Sequence, residues 1–186
     1  MGSAHSDIHR THACVIACYA GAAALHVLSR DAWWRGRAHP CRVAPDELLL
    51  ITAPPLGVEV ESRARQYFDI HEPSALVVDQ TDGFAAWTLD GETATRMLRH
   101  LSVNHFPDSR PAFVQGVVAG APAKVLLVDG AAHVLVPSPL RDYVASRLRD
   151  VAGPFEATAE IPLAMGHSPQ ARATPRVSPV PEPAQP

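Results

Sequence analysis

Four side chains near the start of the chain, His5, His9, His12 and Cys14, offer the nitrogen and sulfur donors that zinc takes. No C-x-x-C pair completes the set, and ordering a flexible terminus around an ion costs conformational entropy. No metal site is assigned. Cys14 and Cys18 share one strand face, but four strand residues span ~13 Å, beyond the ~7 Å Cα limit of a disulfide. Both are read as small core residues, and Cys41 as structural in the same way. The run from Asp79 to Asp82, followed by Gly83, imitates a calcium loop, with its glycine one position early. Its paired carboxylates suit general acid–base work, but a turn whose Asp side chains bond the local backbone is preferred. His100 and His105 stand five apart and diverge around a helix. His133 alternates with Val134 in a strand and is expected to face solvent or accept one hydrogen bond.

Other chemistry finds no purchase. There is no G-x-G-x-x-G after a strand and no G-x-x-x-x-G-K-[ST], so no phosphate cradle is read. No serine lies in a G-x-S-x-G elbow. The chain has fifteen arginines and one lysine, Lys124, so any Schiff base would rest on that residue alone. No catalytic, cofactor or metal residue is assigned. Trp33 and Trp34 sit in a loop with Arg30, Arg35 and Arg37, the residue types enriched at protein interfaces. They and Trp87 are candidates for a partner surface, with Asp79 and Asp82; a loop tryptophan equally folds back onto its own core.

Composition narrows the class. Sixteen basic against nineteen acidic residues, net charge −3, leave no electrostatic footprint for nucleic acid or anionic lipid. No apolar run approaches the ~20 residues of a membrane span. The first twelve residues lack the apolar stretch of a secretory signal. A cytoplasmic protein is expected. With 47% hydrophobic residues over 186, the chain can bury a real core.

The elements follow from periodicity. The run 13–19 fits a buried strand, and 21–28 switches to helical spacing. Strands are expected at 39–43 and 47–52, joined by a turn at Ala44-Pro-Asp46. Pro54-Pro55 ends the second. The spacing then predicts a helix over 56–68 with the stripe Val60, Ala64, Tyr67 and Phe68, and a strand over 75–79. That order, β-α-β-β-α-β, is ferredoxin-like. The second half begins with a strand at 84–89 and a helix carrying Ala94, Met97, Leu98 and Leu101. Strands at 113–119, 124–128 and 132–136 follow, the first two joined by Gly120-Ala-Pro122 and the last two by Asp129-Gly130. Ser138 is expected to cap a final helix, with Pro139 at its first position, that buries Leu140, Tyr143, Val144, Leu148 and Val151. The reading is therefore α+β: a flexible start (1–12), one domain (13–152) of two tandem ferredoxin-like βαββ-type halves, about 13–80 and 83–151, and a disordered tail (153–186). Eight of the eighteen prolines fall in the last 35 residues.

At the join between the halves the residues become familiar. The segment 77–98, VVDQTDGFAAWTLDGETATRML, resembles the gamma subunit of heterotetrameric sarcosine oxidase. That family shows V-x-D-x-S-D, a strand, then L-x-G-x-x-A-x-x-x-L; Asp79, Asp82, Leu89, Gly91, Ala94 and Leu98 match, and Thr81 replaces Ser. Ala44-Pro-Asp-Glu-Leu-Leu-Leu50 resembles its G-P-D-x-W-L-L element, with Ala44 for Gly and Leu48 for Trp. Leu135 to Tyr143 resembles its last strand and helix. The similarity covers about 13–151. It implies a small relative of the folate-binding aminomethyltransferase fold that serves as a non-catalytic subunit beside alpha, beta and delta chains, in a flavin-dependent complex that oxidatively demethylates sarcosine or a related N-methyl amino acid. FAD, FMN, NAD, zinc and tetrahydrofolate would lie on the other subunits. The rival is a stand-alone folate-binding or aminomethyltransferase-like protein.

Overall fold

The computed structural model describes residues 8–90, 94–152 and 161–162. Its first half contributes β1 (Ile8–His12), β2 (Cys14–Tyr19), α1 (Ala22–Ser29), β3 (Ala38–Ala44), β4 (Glu47–Thr52), α2 (Gly57–His71) and β5 (Leu76–Asp79). The second contributes β6 (Phe84–Asp90), α3 (Ala94–Leu101), β7 (Ala112–Val118), β8 (Ala121–Val128), β9 (Ala131–Pro137), α4 (Arg141–Ala152) and β10 (Ile161–Pro162).

The strands form two sheets. One is four-stranded in the order β3-β4-β2-β5, antiparallel throughout; the other is six-stranded in the order β10-β1-β6-β9-β8-β7, antiparallel except for the β1–β10 pair. Alternation along each strand explains how they stack. In β6, Phe84 and Ala86 join Val15, Leu49 and Ile51 of the other sheet in one core, while Ala85, Trp87 and Leu89 point the opposite way toward Leu98, Val144 and Leu148. In β2, Val15 and Ala17 face the second sheet, and Ile16 and Cys18 face Leu25, Leu28, Val60, Ala64 and Phe68. The molecule is thus four layers: α1 and α2, the smaller sheet, the larger sheet, α3 and α4. Strands covered on both faces read as unbroken apolar runs, as 13–19 and 125–128 do.

Several expectations are corrected. Residues 8–12, read as part of a flexible start, form β1, which lies antiparallel to β6. Ile8 is 1% exposed, and pairing with β6 is a tertiary interaction that five mostly polar residues do not announce. Ile161 and Pro162, read as tail, pair with Thr11 and His12; the rest of the tail, and the Gly91 turn, lie outside the described residues. The β7–β8 turn is tighter than Gly120-Ala-Pro122: Ala119 and Gly120 take positive φ (55° and 84°), and Pro122 already lies in β8. Pro122 is tolerated because β8 meets β9 only from Lys124 onward. Ser138 does not cap α4; it opens a short 3₁₀ turn and its hydroxyl donates to the Asp82 carbonyl (2.7 Å). Tyr143 (49% exposed) and Val151 (44%) lie at the surface, while Val144 and Leu148 are fully buried. In α2, Val60, Ala64 and Phe68 are buried and Tyr67 packs at the margin.

Candidate functional site

Two of the three tryptophans leave the surface. Trp34 is 2% exposed and its indole donates to the Leu28 carbonyl (2.5 Å). Trp87, also 2% exposed, packs between the larger sheet and α3/α4. Only Trp33 is partly open. It meets Trp34 edge to face at 4.9 Å, and the guanidinium groups of Arg37 and Arg63 lie 5.0 and 5.9 Å from its ring. Arg63 pairs with Asp31 (2.8 Å). The Trp33 backbone N–H first, and then Arg63, hold the Asp31 carboxyl below its usual range. The candidate aromatic surface therefore shrinks to one arginine-flanked ring.

All three cysteines are free thiols. Burial pushes Cys18 up to about 12 and raises Cys41 further, so neither is a thiolate nucleophile at neutral pH. His133 is not at the surface. It is 0% exposed between the sheets, with Nδ1 2.8 Å from the Thr88 hydroxyl, which in turn lies 2.7 Å from the Thr11 hydroxyl. Three polar groups from β1, β6 and β9 are joined in a hydrogen-bonded chain inside an apolar layer, a structural arrangement. Burial also lowers His39, on β3. Among the described residues, no three His, Cys, Asp or Glu side chains gather as metal ligands.

The acidic loop acts as a clamp. Asp79 Oδ1 accepts from the Thr81 N–H (2.8 Å), closing an Asx turn. Gln80 N–H donates to the Val15 carbonyl (2.8 Å), and Val15 N–H donates to the Thr81 hydroxyl oxygen (3.1 Å). The Asp82 carbonyl accepts from Ser138 of the second half. Beside the clamp opens a cleft of about 280 Å³, lined by Arg10, His12, Thr81, Asp82, Ser138 and Arg141 among others. Both halves and the join contribute to it. Arg10 comes from β1 and Arg141 from the first turn of α4. Arg141 Nε donates to Asp142 (3.0 Å), and that bond, with the charges of Arg141, Arg10 and Arg149, holds the exposed Asp142 carboxyl below the usual carboxylate range. Sequence reading missed this cleft because one wall is β1. Of its lining, the sequence marks Asp82 as a partner-surface candidate and His12 as a metal-donor candidate, and neither reading points to a cleft.

No protein-family model matches the sequence, and no curated protein does. Solved structures do. A chain of the heterotetrameric sarcosine oxidase from Corynebacterium sp. U-96 superimposes with a TM-score of 0.63 at 16% identity, covering 83% of this chain and 86% of that one. This chain has the fold of that oxidase chain. The glycine cleavage system aminomethyltransferase T from Bartonella henselae superimposes with a TM-score of 0.56, also at 16% identity, over 78% of this chain. The match spans only 46% of that protein's chain, so the aminomethyltransferase is about twice the unit seen here. The expected resemblance to the aminomethyltransferase fold thus holds for the two-sheet α+β architecture. No helix among the described residues is long and apolar enough to cross a membrane.

Proposed function

We propose that this chain is a structural, gamma-type subunit of a heterotetrameric, flavin-dependent oxidase of sarcosine or a related N-methyl amino acid, acting in the cytoplasm in sarcosine catabolism. The observation that carries the reading is the mutual coverage with one oxidase chain, 83% and 86%: the likeness accounts for a whole subunit-sized unit rather than a fragment. The interior agrees with such a role. Its buried His133 is hydrogen-bonded to Thr88, burial raises the pKa of two of its cysteines, and its acidic loop is spent on turn geometry. In this proposal alpha, beta and delta chains carry the FAD, FMN, NAD, zinc and tetrahydrofolate chemistry, and the two tandem halves, the first ferredoxin-like, supply shape.

A second reading, a stand-alone folate-binding or aminomethyltransferase-like protein, takes its support from the 0.56 superposition on aminomethyltransferase T. Titration calorimetry of the isolated chain with tetrahydrofolate separates the two. The subunit reading expects no tight binding by the lone protein; tight saturable binding favours the second.

A further inference from the structure

The cleft at the join of the halves has a composition that the subunit role does not use. Its lining brings two arginines, Arg10 and Arg141, to one concavity together with His12, Thr81 and Ser138. We infer that this cleft is an oxyanion-binding site, taking a small molecule that carries a phosphate or carboxylate group.

Three observations support it. Arg10 makes no ion pair among the described residues, although it lines a polar cavity. Arg141 uses Nε on Asp142, leaving the terminal nitrogens of its planar fork for a second acceptor. The depressed Asp142 carboxyl reports that Arg10, Arg141 and Arg149 together favour negative charge at this edge. Asp82 brings one carboxylate residue to a lining with two arginines, so the balance of charge in the lining favours an anion. At about 280 Å³ the cleft lies near the lower end of small-molecule sites, roughly 300–1,000 Å³, enough for the anionic head and a short attached group.

Because both halves line the cleft, a bound anion would tie them together and raise the unfolding temperature. The inference is independent of the subunit proposal, and its failure would leave that proposal standing. The test uses the purified full chain, titrated in parallel with inorganic phosphate and with glutarate. Binding is followed by backbone amide NMR shifts and by thermal unfolding. The expected result is saturable movement of the Arg10, Thr81 and Ser138 amides with at least one probe, weakened by about tenfold or more in Arg10→Gln and Arg141→Gln. Arg147→Gln, on the same helix but outside the cleft lining, should bind as the parent does. The stronger probe identifies the oxyanion. No saturable shift with either probe, or affinity unchanged in both cleft variants, overturns the inference.

Discussion

Single residues in this protein are explained by where the layers put them. The Thr11–Thr88–His133 set lies between two sheets, and the Thr88 hydroxyl is the link that joins the other two. Thr88→Val keeps the shape and removes the central hydroxyl, and with it both of the buried bonds that hydroxyl makes. A loss of about 1–3 kcal/mol in urea unfolding is expected; an unchanged midpoint would mean that the set contributes nothing. His39 gives a prediction in pH. Burial lowers its pKa below the ordinary 6.5, so the unfolded chain binds the proton more readily than the folded one. Its stabilising contribution is therefore complete above about 6.5 and is lost as pH falls from there toward the folded value. Unfolding free energies at a series of pH values across that window should decline, and His39→Gln should flatten the decline. A parent and variant with the same slope would contradict the assignment. Asp31 acts lower on the scale: its contribution persists above its ordinary 3.8 and fades as pH falls through the depressed folded value.

Elements divide into those written in local periodicity and those written only in the fold. The stripe Val60, Ala64 and Phe68 gives α2, and Ala94, Met97 and Leu98 give the buried face of α3, because each repeats at helical spacing against one sheet. Strand β4 falls at 47–52 as its unbroken apolar run requires. β1 is different in kind. In its sequence IHRTH, Ile8 alone is a large apolar side chain, and the strand exists because β6 offers an edge. The cleft was illegible for the same reason, since Arg10 gains a site only once β1 is docked. The tryptophans show the converse, as composition suggested a surface and packing placed Trp34 and Trp87 inside. If β1 is an integral strand, Ile8→Ala should cost about 2–5 kcal/mol by urea unfolding; a cost near zero would mean that the strand is detached in solution. Sheet edges are managed by side chains. The Val117 carbonyl of β7 accepts from Ser102 (2.6 Å) and Asn104 (3.3 Å), and Arg65 donates to the Val77 carbonyl of β5 (2.9 Å). Gly116 permits the first arrangement: a Cβ there would lie 1.9 Å from Asn104 Nδ2.

At the scale of the whole molecule, four layers of secondary structure form around a join that holds both halves through Val15, Gln80, Thr81, Asp82 and Ser138. That unit matches one chain of a heterotetramer nearly end to end and less than half of an aminomethyltransferase. Those proportions describe the fold; the role in assembly is the proposal made above, and it has a direct test. The decisive measurement is native mass spectrometry of the oxidase formed when this chain is co-expressed with alpha, beta and delta chains from the same genome. The account predicts a single complex containing one copy of each chain, with this subunit required for full assembly. A complete, active oxidase that forms from the other three and never takes up this chain would contradict it.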